Sequence, residues 1–147
     1  MYEKTLFAGW GDMDFNSHMR NTAYLDKSAD LRMIFFAENG FPMSEFVRRR
    51  IGPVIMRDAL EYFKEVGLLD DVKVTLALAA MSDDGSRFEI RNDFYNAKGK
   101  LAARVTSAGG WLDLATRKLV VPPGELLDVM REMPKLDDYR VLGSSGQ

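Results

Sequence analysis

Asp14, Asn16 and His18 stand two residues apart within the run Trp10-Gly11-Asp12-Met13-Asp14-Phe15-Asn16-Ser17-His18-Met19-Arg20-Asn21. In an extended loop that spacing sets the three side chains on one side. A carboxylate there can act as a nucleophile or as general base for water. Asn16 can orient the water, and His18 can hold an acyl group or carry a proton. Asp12 also stands in the run, but an aspartate just before a helix is more often a cap, and that is its expected role.

The loop leads directly into a helical pattern. Tyr24, Leu25, Ala29, Leu31, Phe35 and Phe36 recur at three- and four-residue spacings, predicting a helix from Met19 or Asn21 to Asn39. Its first N–H groups lack intrahelical partners, and its dipole favours an oxygen that gains negative charge. A carbonyl held there beside Asp14 would be open to attack. Asn21 and Tyr24, at the helix start, are the expected substrate contacts. The second half of the helix is apolar all round, so it needs cover on most sides. Asn39-Gly40 predicts a left-handed C-terminal cap, and Pro42 blocks continuation.

Most of the remainder is strand-like. Val54–Phe63 is rich in β-branched and aromatic residues, and Val72, Val74, Leu76 and Leu78 alternate with smaller or polar neighbours. Asp83-Asp84-Gly85 and the stretch from Asn96 to Gly99 predict turns on either side of an alternating Phe88–Phe94 strand. Leu101–Leu114 is the last long strand, with Gly109-Gly110 as a bulge or bend. A short amphipathic helix, Glu125–Met133, follows Pro122-Pro123. The expected architecture is α+β, an antiparallel sheet of five to six strands wrapped around one long central helix. One domain is expected over residues 1–140, with a flexible tail over 141–147. An open sheet keeps an edge that needs cover, which favours a homo-oligomer.

Composition narrows the function classes. The 147 residues carry no cysteine and a single histidine, which excludes thiolate nucleophiles and makes an imidazole-built metal site improbable, so no metal and no cofactor are expected. A net charge of −2 argues against a nucleic-acid binder. There is no basic start with an apolar run at the N-terminus and no stretch of about 20 apolar residues, so the expected location is the cytoplasm, away from membranes. A Gly-x-Ser-x-Gly elbow, a Walker loop and a dinucleotide fingerprint are all absent.

The pattern Trp-x-Asp-Met-Asp-x-Asn-x-His-x-x-Asn-x-x-Tyr, from Trp10 to Tyr24, resembles the signature of hot-dog-fold thioesterases, the superfamily of 4-hydroxybenzoyl-CoA thioesterase. The form with Asn16 and His18 is most similar to the acyl-ACP thioesterases. The resemblance runs from Phe7 to about Pro123. It implies hydrolysis of acyl-CoA or acyl-carrier-protein thioesters at sites formed between two subunits, with Asp14 catalytic. It also implies that a downstream glutamate joins Asp, Asn and His. The matching segment, Leu60-Glu61-Tyr62-Phe63-Lys64-Glu65-Val66-Gly67, puts it at Glu65. Val66 stands where that branch has a cysteine, and the chain has room for one hot-dog repeat where that branch has two. Arg57, inside a strand pattern, is a further ligand candidate, whereas Arg48-Arg49-Arg50 reads as solvated surface. Two alternatives stay open: a non-catalytic acyl-thioester binder and, ranked lower, an enoyl-CoA hydratase. The hydratase signature needs its histidine one residue later, usually with a proline between; here Ser17 holds the intervening position and His18 comes too early.

Overall fold

The helix that follows the polar run spans Asn21–Glu38 (α1) and buries Ala23, Tyr24, Ser28, Leu31, Phe35 and Phe36. It ends where expected: the Asn39 side-chain amide donates to the Phe35 carbonyl at 2.8 Å, and Gly40 takes φ 88°. The structure is a computed structural model and describes residues 1–143. Before α1 lie a strand, Tyr2–Phe7 (β1), and a single 3-10 turn, Trp10–Asp12. After it come Met43–Arg49 (α2), Ile51–Tyr62 (β2), Asp71–Ser82 (β3), Arg87–Tyr95 (β4), Leu101–Asp113 (β5), Leu119–Val120 (β6), Gly124–Glu132 (α3) and Lys135–Leu142 (β7).

The strands form one sheet in the order β1-β3-β4-β5-β2, with β6 beside β5 and β7 beside β3. The sheet has seven strands instead of five or six. The two extra ones are the two-residue β6 and β7, which runs parallel to β3 while the other pairs are antiparallel. β1 takes one stretch of β3, from Asp71 to Leu76, and β7 takes the next, from Leu78 to Ser82. β7 also carries Val141 and Leu142, two residues expected in the tail, while residues 144–147 of that tail lie outside those described. α2 fills a stretch for which the sequence predicted no helix, flanked by Pro42 as N-cap and by Arg50 as C-cap, the latter in the left-handed region at φ 54°.

α1 packs across the inner face of the sheet against β3 and β5. Val72, Val74, Leu76 and Leu78 of β3 are fully buried. At the C-terminal end of α1, Trp111 of β5 is ringed by Phe36, Phe46 and Phe88, with centroids 5.4–6.1 Å away. Its indole N–H donates to the Gly85 carbonyl at 3.1 Å, so the one polar atom of a fully buried ring is satisfied.

The glycine pair in β5 has a different role from the one expected. The bulge lies in the neighbouring strand, where Met56 is the extra residue between Ile55 opposite Gly109 and Arg57 opposite Ala108. A Cβ on Gly109 would run into the Val54 carbonyl oxygen, and one on Gly110 would stand 2.7 Å from the Ser86 carbonyl oxygen. The glycines admit backbone on both sides. Gly109→Ala is therefore expected to lower unfolding stability by about 3 kcal/mol, the upper range for overpacking, as read from urea denaturation. A loss under about 0.5 kcal/mol would show that the strands separate without strain.

Candidate active site

The polar run is not extended. Asp14 and His18 close a tight turn through the Asp14 N–H and the His18 carbonyl at 2.8 Å, and Met13 and Met19 bridge behind them. Ser17 adopts φ 65° at its tip. The Asp14 carboxylate shapes this turn, since Oδ1 accepts the backbone N–H groups of Asn16 (2.8 Å) and His18 (3.0 Å). Among the described residues Oδ2 accepts none. The turn is anchored to a second loop by the Met19 N–H, which donates to the Val66 carbonyl at 2.8 Å. Asp12 serves the 3-10 turn: Oδ2 accepts the Gly9 N–H at 2.8 Å and pairs with Lys27 at 3.0 Å.

Burial works against the Asp12 charge, but the Gly9 hydrogen bond and Lys27 outweigh it and hold the carboxyl below its usual range. The stability Asp12 contributes is therefore complete above the ordinary aspartate pKa and is lost as pH falls through the lowered folded value. Asp12→Asn should make unfolding less sensitive to acid between about pH 5 and 3, checked by urea melts across that range; unchanged sensitivity would refute it.

Asp14, His18, Asn21, Tyr24 and Glu65 line one cavity of about 470 Å³, together with Met19, Tyr62, Phe63, Lys64 and Val66. His18 Nε2 lies 3.1 Å from Glu65 Oε1, so residues 47 positions apart in sequence meet at the cavity wall. They meet because β2 ends at Tyr62 and the chain turns back, with Phe63 and Lys64 donating to the Ala102 carbonyl at 2.8 and 3.0 Å. Tyr24 is fully buried, edge-on to Tyr62 at 5.7 Å and to Phe94 at 5.0 Å. Burial, with Tyr62 beside it, pushes the Tyr24 phenol up to about 12, so it remains protonated. α1 begins at the cavity, and its N-cap, Arg20, supplies no side-chain hydrogen bond to the first turn.

Two expected residues lie elsewhere. Asn16 is exposed on the turn and is not part of the cavity lining. Arg57 is on the outer face of the sheet, 3.6 Å from Glu89, which also pairs with Arg140 at 2.8 Å. The arginine run sits at the opposite end of β2, where Arg48 binds Glu45 at 2.6 Å and Arg49 binds Glu125 at 3.0 Å. Tyr62, Phe63 and Lys64 were not singled out. Their one signal was two aromatic residues at a strand end next to Glu65, which side-chain alternation alone reads as strand surface.

The chain belongs to the thioesterase-like superfamily, whose family model matches residues 8–130. No curated protein matches it. Among solved structures it is similar to a hypothetical protein from Aquifex aeolicus, with 19% identity and a TM-score of 0.81 over 88% of this chain and 99% of that one. It is also similar to a hypothetical protein from Staphylococcus aureus in complex with CoA, with 19% identity and a TM-score of 0.78 over 92% and 87%. A third is a 1,4-dihydroxy-2-naphthoyl-CoA thioesterase from Synechocystis, with 13% identity and a TM-score of 0.79 over 89% and 96%. These likenesses establish the hot-dog fold. No described helix is long and apolar enough to cross a membrane.

Proposed function

We propose that the protein hydrolyses an acyl-CoA thioester in the cavity between the Asp14 turn and the end of β2. One observation carries this reading: Asp14, the His18–Glu65 pair and the uncapped N-terminus of α1 line or adjoin the same cavity. Membership of the thioesterase-like superfamily supports it, as do solved relatives that bind CoA or cleave its thioesters.

In this scheme the thioester carbonyl oxygen faces the first-turn N–H groups of α1, which have no side-chain competitor. Asp14, with Oδ1 tied to the turn, uses Oδ2 to take a proton from water or to attack the carbonyl carbon directly. When water attacks, the tetrahedral intermediate collapses by breaking the C–S bond and releases the carboxylic acid and the thiol; when Asp14 attacks, the same cleavage releases the thiol and leaves an acyl–Asp14 anhydride, which water then hydrolyses to the acid and free Asp14. His18 supplies a proton to the departing sulfur, and Glu65 orients the imidazole. Asn21 and Tyr24 contact the acyl group, and the carrier is CoA or an acyl-carrier protein.

The same reading makes the protein a single cytoplasmic domain that runs to the end of β7 and works as a homo-oligomer. Met56, Tyr62 and Phe63 are exposed along and just beyond the edge strand β2, an apolar margin suited to a second copy. The test is a panel of aromatic and aliphatic acyl-CoA and acyl-carrier-protein thioesters, followed by thiol release. Release from one class establishes the activity and its carrier. Tight binding without release would make the protein a binder instead of an enzyme, and hydration of an enoyl-CoA would make it a hydratase.

Glu65 supplies a graded check. Its side chain is 75% exposed, so its contact with His18 is worth at most about 1 kcal/mol. Glu65→Gln is expected to lower kcat/KM by about fivefold. A loss beyond a hundredfold, confined to kcat, would place Glu65 itself in the proton transfers.

A further inference from the structure

We propose that the cavity at the start of β2 is a second binding site, built for a phosphate monoester carried on a ring, as in a nucleotide. This inference goes beyond the thioesterase reading and does not depend on it.

The cavity has a volume of about 560 Å³ and is lined by Arg48, Arg49 and Arg50 together with Val120, Val121 and Pro123. That volume is in the range of small-molecule sites. Three successive residues on a regular helix point about 100° apart and fan around it. Here they meet in one cavity because α2 stops at Arg49 and Arg50 turns the chain at φ 54° and ψ 46°. A left-handed backbone favours glycine, so an arginine is held there against the local preference.

The guanidinium groups are oriented without being used up. Arg48 donates to Glu45 through Nε at 2.6 Å and Nη2 at 3.1 Å. Arg49 Nη1 donates to Glu125 at 3.0 Å, and the Phe41 ring centroid lies 5.4 Å from the same guanidinium. Neither glutamate lines the cavity. Arg49 Nε is buried and has no hydrogen-bond partner among the described residues. The Arg50 side chain is exposed and makes no hydrogen bond or ion pair among them.

The charge sets the ligand class. Asp113 is the one carboxylate in the lining, and its Oδ1 already accepts the N–H groups of Ala115 and Thr116 at 2.8 and 3.0 Å. Three arginines against one aspartate leave an excess of two positive charges. The turn after Asp113 adds Arg117 and Lys118, which offset Glu45 and Glu125. A phosphate monoester is close to a dianion at neutral pH and accepts paired N–H groups from arginine. A monocarboxylate matches half of that charge. The valines and the proline, with Val121 55% exposed, give an apolar wall suited to a ring and of no use to bare phosphate.

β2 separates this cavity from the one at Asp14 by twelve residues, about 40 Å. Two sources carry the required chemistry. One is a free nucleotide. The other is the nucleotide end of a ligand held in the Asp14 cavity of a second copy, since antiparallel pairing of two β2 edges sets the start of one beside the end of the other.

The test is calorimetric titration of the intact protein with AMP, adenosine and inorganic phosphate. AMP is expected to bind at least about tenfold more tightly than either fragment. Arg50→Gly keeps the left-handed turn and removes the guanidinium, and Val121→Asp sets a negative charge on the apolar wall. Each should weaken AMP binding at least about tenfold with the thermal midpoint unchanged. No AMP binding at millimolar concentration, or binding that Arg50→Gly leaves within twofold, would overturn the inference. Equal affinity for inorganic phosphate would overturn it too, as the mark of a bare charged surface. CoA separates the two sources. An affinity tenfold or more above that of AMP, lost in Arg50→Gly, assigns the site to the nucleotide end of a bound ligand, whereas an affinity no higher than that of AMP assigns it to a free nucleotide. Binding is read directly, so failure to cleave any thioester would remove the thioesterase reading and leave this inference standing.

Discussion

Asp14→Asn is expected to lower kcat/KM for the best thioester by about a thousandfold, within the range removed when a positioned carboxylate no longer handles a proton or attacks. The substitution separates chemistry from architecture. Asn keeps Oδ1, so the N–H groups of Asn16 and His18 retain their acceptor and the turn keeps its shape. It replaces Oδ2, the oxygen with no hydrogen bond to the turn, by an amide that is neither basic nor nucleophilic. The loss should appear in kcat, with the thermal midpoint and circular dichroism unchanged. Turnover within tenfold of the parent would show that Asp14 only shapes the turn. Asp14→Ala is the less informative change, because removing Oδ1 opens the turn and mixes the two effects.

The second large effect is structural. Trp111→Ala should destabilise the fold by about 3–5 kcal/mol, the cost of emptying a large buried aromatic site. Phe36 of α1, Phe46 of α2 and Phe88 of β4 all pack on that indole, so no single element can move in to fill the space. Trp111→Phe isolates a second term: it keeps most of the contact and strands the Gly85 carbonyl, which the indole N–H now satisfies. That variant should lose about 1–3 kcal/mol. Urea denaturation of the three proteins gives both terms, and a Trp111→Ala loss under about 1.5 kcal/mol would mean that the cluster repacks.

The long elements were legible because their patterns are strong. The three- and four-residue repeat of α1, its Asn39-Gly40 end, and the alternation in β3 and β4 all carried into the fold. β7 was not legible: Lys135-Leu136-Asp137-Asp138-Tyr139-Arg140 has no regular alternation, because the strand lies at a sheet edge with much of its surface in water. α2 was missed because seven residues are too few to show a period. In the site, spacing was misleading. A two-residue interval implies a shared side only in extended chain, and the left-handed Ser17 turns Asn16 away from the cavity. His18 and Glu65 meet through a loop-to-loop hydrogen bond at Met19, which no local pattern encodes. The cavity shared by Arg48, Arg49 and Arg50 was equally hidden, since it depends on the left-handed turn at Arg50.

The two margins of the sheet differ in a way that governs growth. One margin is split between β1 and β7, short strands of opposite direction bearing Glu3, Lys4, Asp137, Asp138 and Arg140. The other is β2, a single twelve-residue strand with the exposed bulge residue Met56 near its centre. A body with two receptive margins can stack without limit, as fibrils do. A body with one can only close: when β2 meets β2 across a twofold axis, the joined sheet presents the fragmented, charged margin at both ends, and addition stops. The same polypeptide can thus expose a long strand edge at high concentration without offering a template for polymerisation.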